Sequence, residues 1–141
     1  MKRIIIINGP NLNLLGIRET KFYGTENFHE YIHQVKKKKI FSNINIDCYQ
    51  YNCEGKIIDM LHQIGFNSDG ILLNAGAYTH TSIAIADAIK SITTPVVEIH
   101  ISNIYSREIF RKKSFLSSVC NGTIFGFGLK SYELGIMSFF L

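Results

Sequence analysis

The stretch Gly70–Ile92, GILLNAGAYTHTSIAIADAIKSI, constrains the fold of this chain more than any other. Ile71–Leu73 is an apolar run of strand length, Asn74–Ser82 is a small hydroxyl-rich loop, and apolar residues at helical spacing follow. A strand that opens into a loop and then a helix is half of a βαβ unit. In parallel sheets the loops at the carboxyl ends of the strands build the binding crevice. Asn74, Tyr78, Thr79, His80, Thr81 and Ser82 crowd hydrogen-bonding groups into this loop, which suits a small polyhydroxylated ligand better than an apolar one. As plain structure the same residues make a capped turn into a helix.

The same unit recurs along the chain. Arg3–Asn8 reads as a buried first strand because Ile4–Ile7 is continuously apolar and β-branched. Gly9–Gly24 has no period and is long for a strand-to-helix connection, as functional lids are. A helix is predicted over about Asn27–Phe41, with Phe28, Tyr31, Ile32 and Val35 on one face. A second strand follows over Asn45–Tyr51, then a helix over Glu54–Ile64 stopped by Gly65. Beyond the central stretch, Pro95 starts a fourth strand, Val96–Ile101, followed by a polar loop and a short basic helix. Thr123–Phe127 reads as strand five and Leu129–Phe140 as the closing helix.

Five strands alternating with helices over residues 1–141 predict one α/β domain with a parallel sheet covered on both faces. The flavodoxin-like order 2-1-3-4-5 is the common solution at this size, a three-layer sandwich. It sets the ends of strands one and three side by side at the switch point. The Asn8–Tyr23 loop then meets the Asn74–Ser82 loop, with His100 and Ser102 next along.

Composition narrows the function classes. A chain of 141 residues can bury a core without disulfides or metal. Cys48, Cys53 and Cys120 are odd in number and form no CxxC pair, so a reducing, cytoplasmic setting is expected. No apolar run approaches a membrane span, so no membrane partner is expected. The net charge of +4 could suit nucleic acid, but much of it is Lys36–Lys39 at the end of a predicted helix, where cations favour the dipole. A nucleic-acid surface would interleave aromatics with that run, and only Phe41 is close.

Motifs carry the rest. Gly9-Pro-Asn-Leu-Asn-Leu-Leu-Gly16 lies where a phosphate loop would, but lacks the Lys-Ser/Thr ending of a P-loop and the spacing of a dinucleotide fingerprint. His29-Glu-Tyr-Ile-His33 matches the HExxH zinc pattern by letter. On the helical wheel Tyr31, Ile32 and Val35 cluster within about 60° of Phe28, whereas the two histidines fall about 100–140° away, toward solvent. In Glu98-Ile-His-Ile-Ser102, residues 98, 100 and 102 share one strand face. Polar groups on a buried strand are costly unless hydrogen-bonded. Glu98 can orient His100 and stabilise its protonated form, which fits His100 as a general acid or base. Arg18 and Tyr23 flank the tip of the first loop, where a guanidinium beside a phenol favours the phenolate. Arg107 and Arg111, four apart on the predicted basic helix, could reach a substrate oxygen.

In order along the chain, these motifs resemble type II 3-dehydroquinate dehydratases, lyases of the shikimate pathway. The carrying segments are Asn8–Gly16 with Arg18-Glu19 and Tyr23-Gly24, Asn52-Cys-Glu-Gly55, Asn74–Ser82, Glu98–Asn103 and Arg107-Glu-Ile-Phe-Arg111. The resemblance implies the same flavodoxin-like fold. It also implies that Tyr23 takes the C2 proton of dehydroquinate with help from Arg18, and that the enolate is stabilised through a water held by Asn11 and the Pro10 carbonyl. His100, oriented by Glu98, would protonate the departing hydroxyl. The amides of Ile101 and Ser102, with Asn74, would bind the carboxylate, and His80, Arg111 and a neighbouring subunit's Asp87 the ring hydroxyls. No metal or cofactor is implied, and the assembly would be a homotrimer, usually four to a dodecamer.

Departures from the pattern are few. Ala86 stands where many members carry Arg, Tyr105-Ser106 replaces a common His-Ala, and the Lys36–Lys39 run is unusual. None carries the implied chemistry. The apolar Met137–Leu141 tail would suit packing against a neighbour. A non-catalytic binding module on the same fold is the competing class, and it predicts the loss of Tyr23, Arg18 or His100, all of which are present.

Overall fold

The computed structural model describes all 141 residues, Met1–Leu141. Its five strands, β1 (Lys2–Asn8), β2 (Ile44–Gln50), β3 (Gly70–Asn74), β4 (Val96–His100) and β5 (Gly122–Phe125), form one parallel sheet in the order β2-β1-β3-β4-β5. Five helices punctuate it: α1 (Thr20–Tyr23), α2 (Phe28–Lys37), α3 (Glu54–Ile64), α4 (Ile83–Ser91) and α5 (Lys130–Ser138).

Strand alternation sorts the core into two layers. Ile4 and Ile6 of β1, with Leu72, Val97 and Ile99, meet Phe28, Ile32 and Val35 of α2 and Tyr132 and Ile136 of α5. Ile5 and Ile7, with Ile71, Leu73 and Val96, meet Ile57, Leu61 and Ile64 of α3 and Ile85 and Ile89 of α4. A strand covered on both faces has no polar side to show, which is why β1 and β3 read as unbroken apolar runs.

Local chemistry sets several ends differently from the sequence pattern. Helix α2 opens on Asn27, whose side chain accepts from the amides of His29 and Glu30. It stops at Lys37, not Phe41: Lys38 is extended, and a 3-10 turn at Lys39–Phe41 buries Phe41 under the core. Strand β5 ends at Phe125 because Gly126 takes φ +94 and turns the chain. Gly65 does stop α3, yet in an ordinary right-handed conformation. A Cβ there would lie 2.4 Å from both the Leu61 carbonyl oxygen and Ile92, so crowding, not a positive φ, requires glycine. At the carboxyl end, Phe139 packs on Gly70 of its own chain and Lys2 sits 4.9 Å over the Phe140 ring.

The basic segment after β4 is not one helix. It is two 3-10 turns, Ile104–Ser106 and Ile109–Arg111. A further 3-10 turn, Gly76–His80, carries the loop after β3.

Candidate active site

The loops at the carboxyl ends of β1, β3 and β4 close around a crevice with a cavity volume of about 80 Å³. Register explains the meeting: Asn8 pairs with Asn74 across β1 and β3, and Gly9 donates to the Asn74 carbonyl at 2.7 Å. The loops pass so closely that a Cβ on Gly9 would lie 2.5 Å from the Ala75 carbonyl oxygen. Asn11, Arg18, Tyr23, Asn74, His80, His100, Ile101, Ser102, Arg107 and Arg111, all singled out in the sequence, line this crevice.

On one wall, Tyr23 ends α1 in the first loop, partly buried. Its hydroxyl accepts from Arg107 Nη1 at 2.6 Å, and Arg107 also reaches Ser102 Oγ at 3.3 Å and lies 4.4 Å over the Phe22 ring. Arg18 sits 4.6 Å over the Tyr23 ring face and pairs with Glu19. The sequence pointed to Arg18 as the cation at this phenol, but the guanidinium on the oxygen itself belongs to Arg107, 84 positions away. Arg107 Nε has no protein acceptor.

Across the crevice, His100 Nε2 meets the Glu98 carboxylate, leaving Nδ1 as the nitrogen free to exchange a proton. Glu98 is wholly buried and also accepts from Ser114, Ser117 and Thr123. Burial alone would push this carboxyl up; the hydrogen bond and charge of His100, with the Ser117 and Ser114 hydroxyls, hold it below the usual range. Ser102 does not extend the line: β4 ends at His100, and the Ser102 hydroxyl turns to Arg107. The ring of His80 stacks on His100 at 6.3 Å. Its Nδ1 donates to the Lys113 carbonyl at 2.7 Å, so Nε2 is the bare acceptor. Burial, then the nearby His100 and Arg111, push this ring below its ordinary value despite the Lys113 bond.

The floor is a polar network that the motifs did not reveal. Tyr132 of α5, fully buried, donates to Asn8 Oδ1 at 2.7 Å and accepts from Asn74 Nδ2 at 2.9 Å, while Asn74 Oδ1 accepts from the Gly76 amide. One Asn74 N–H is left for a ligand. Nearby, the amides of Ile101 and Ser102 donate to no protein acceptor, and buried amides without partners suit an anion. Asn11 holds a left-handed conformation at φ 68, tolerable for asparagine, and its amide donates to Asn52 Oδ1, itself braced by Gln50. The only available signal for Tyr132 was a lone polar group on the apolar face Leu129, Tyr132, Ile136.

Two expectations fall outside the crevice. Asp87 lies on the exposed strip of α4 with Ile83 and Ala84 and does not line its own chain's site. His29 and His33 are exposed on α2, opposite its buried face.

Against known proteins, the family model for class II dehydroquinases matches residues 2–140. The 3-dehydroquinate dehydratase of Caldicellulosiruptor saccharolyticus is 52% identical over 137 residues, which cover 96% of this chain and 94% of that protein. That of Campylobacter jejuni is 47% identical over 135 residues, covering 96% and 85%. The crystal structure of a type II dehydroquinase from Butyrivibrio crossotus superposes with a TM-score of 0.94 at 46% identity, covering 99% of this chain and 98% of that one.

Proposed function

The chain belongs to the class II dehydroquinases, and on that premise we propose that it dehydrates 3-dehydroquinate to 3-dehydroshikimate by anti elimination, in the shikimate route to chorismate and aromatic amino acids. One arrangement carries the reading: a phenol held by a guanidinium faces the same crevice as an imidazole backed by a buried carboxylate. Two such groups supply the base and the acid that an elimination needs.

Tyr23, as phenolate, takes the C2 proton. Arg107 at its oxygen and Arg18 over its ring set two guanidinium groups against this phenol. The electron pair moves into the C3 carbonyl, and the resulting enolate is stabilised through a water held by Asn11 and the Pro10 carbonyl. As the enolate collapses, the C1–O bond breaks and His100 donates its proton to the departing hydroxyl, which leaves as water. The new C1=C2 bond is conjugated with the C3 carbonyl. Glu98 holds His100 in the tautomer and charge state this step needs.

The amides of Ile101 and Ser102 and the free N–H of Asn74 bind the substrate carboxylate. His80 and Arg111 bind ring hydroxyls. Asp87 serves the crevice of a neighbouring subunit in a homotrimer, four of which build a dodecamer. In its own chain its neighbour Ile83 is 61% exposed, an apolar surface that a subunit contact would cover. The chemistry requires no metal or cofactor.

Tyr23→Phe tests the assignment. It removes the proton acceptor alone, so turnover should fall by at least about a thousandfold while calorimetric substrate binding persists. A Tyr23→Phe enzyme of near-normal rate would overturn the role of the base.

A further inference from the structure

We infer that Ser114, Ser117 and Thr123 are positioning residues of the reaction: three hydroxyls that keep Glu98 ionised and aimed at His100 Nε2, so that the imidazole stays the charged partner. The inference rests on the reading of His100 as the acid. Glu98 Oε1 accepts from Ser117 Oγ at 2.6 Å and Thr123 Oγ1 at 3.2 Å. Oε2 accepts from Ser114 Oγ at 3.0 Å and from His100 Nε2. An ionised carboxylate offers about four lone-pair positions, and all four are taken.

The fold delivers each hydroxyl separately. Thr123 is the cross-strand register partner of Glu98 on β5. Ser114 and Ser117 lie in one turn, where Ser114 Oγ accepts the amides of Leu116 and Ser117, and fully buried Leu116 anchors that turn in the core. Phe115, between them, is tied to the Thr79 carbonyl at 2.9 Å.

No other cation compensates this carboxylate. Its only ion-pair partner is His100. Burial, then the nearby His100 and Arg111, push His80, stacked beyond His100, below its ordinary value. The Cys120 thiol is pushed up to about 12 by burial, then by Glu98, and brings no charge. One proton shared by Glu98 and His100 therefore has two homes. In a low-dielectric interior the neutral pair of carboxylic acid and imidazole competes with the ionic pair. Hydrogen bonds donated to the charged form decide between them. A neutral imidazole is a poor acid for a departing hydroxyl, so the hydroxyls around Glu98 govern the proton that His100 donates.

The test compares Thr123→Val and Ser117→Val, which remove donors while keeping water out, with the hydroxyl-retaining Thr123→Ser and Ser117→Thr. Two readouts are taken: the carbon-13 carboxyl signal of Glu98 in the substrate-free enzyme across pH, and kcat and KM. Each valine variant should move the Glu98 signal toward the protonated form and titrate it at higher pH. It should also lower kcat about tenfold with KM within about twofold. Both readouts should return in the hydroxyl variants. If Ser117→Val does not fold, Thr123→Val, nearly isosteric on an edge strand, carries the same expectations. A folded valine variant whose Glu98 stays a carboxylate, with an unmoved titration, overturns the inference whatever its activity. A moved titration with unchanged kcat instead overturns His100 as the acid, the reading on which the inference rests.

Discussion

Tyr132→Phe isolates a single oxygen at the base of the site. The Tyr132 ring packs edge-on against Phe28, with centroids 5.0 Å apart, and phenylalanine keeps that contact and its volume. What disappears is one hydroxyl that donates to Asn8 and accepts from Asn74. Burial pushes this phenol far above its ordinary value, so in the native protein it stays a neutral donor and acceptor. Without it, a buried carbonyl oxygen and a buried amide hydrogen lose their partners. Each stranded group costs about 1–3 kcal/mol, so about 2–6 kcal/mol of stability should be lost. For a domain of this size that lowers Tm by about 4–24 °C. Asn74 also loses the bond that fixes its amide, so KM for substrate should rise by about three- to tenfold with kcat less affected. Urea denaturation at fixed protein concentration and steady-state kinetics measure both. A stability loss under about 1 kcal/mol with an unchanged KM would refute the network as a structural and positioning element.

Stability should fall on the acid side of pH. At Glu98 and Glu133 burial opposes ionisation, but it is outweighed by His100 and the hydroxyls at the first and by Lys38 and Tyr31 at the second, so both sit below the ordinary 4.5 when folded. The unfolded chain therefore takes up protons first, and the stability these groups contribute is complete above about 4.5 and lost as pH falls below it. Glu133→Gln should flatten the denaturant midpoint against pH between about 6 and 3, and a curve parallel to the parent protein's would contradict this. Coexpressed Asp87→Ala and Tyr23→Phe chains, each weak alone, should regain activity, since in a cyclic trimer about a quarter of sites pair an intact Tyr23 with a neighbour's intact Asp87. Mixed oligomers verified by mass spectrometry, yet no more active than their parents, would refute a shared site. Prolonged chelation should leave activity unchanged and His29→Ala with His33→Ala should be near silent; zinc-restorable loss would revive the HEYIH motif as a metal site.

Sheet order and layers were legible because their causes are periodic and local. Ile4–Ile7 and Ile71–Leu73 can only be strands covered on both faces, and the switch point follows from the alternation of strands and helices. The crevice was legible because its residues lie in runs at strand ends. Ends of elements were less so: Lys38 leaves the helix because Phe41 must turn back into the core, which no helical period records. Arg107 and Arg111 were assigned to one helix, yet they reach the crevice from the ends of two short turns. The contact of Arg107 with Tyr23 and the bonds of Ser117 and Thr123 to Glu98 join residues far apart in the chain. Tyr132 was hidden because a helix-face tyrosine reads as core until its hydroxyl is seen to lie between Asn8 and Asn74.

The central claim, that this crevice eliminates water from 3-dehydroquinate, is tested most directly by ultraviolet absorbance. Purified protein mixed with 3-dehydroquinate should produce the absorbance of a conjugated enone in proportion to enzyme concentration, and Tyr23→Phe at equal concentration should abolish nearly all of it. Folded protein that binds 3-dehydroquinate yet generates no enone absorbance would contradict the account.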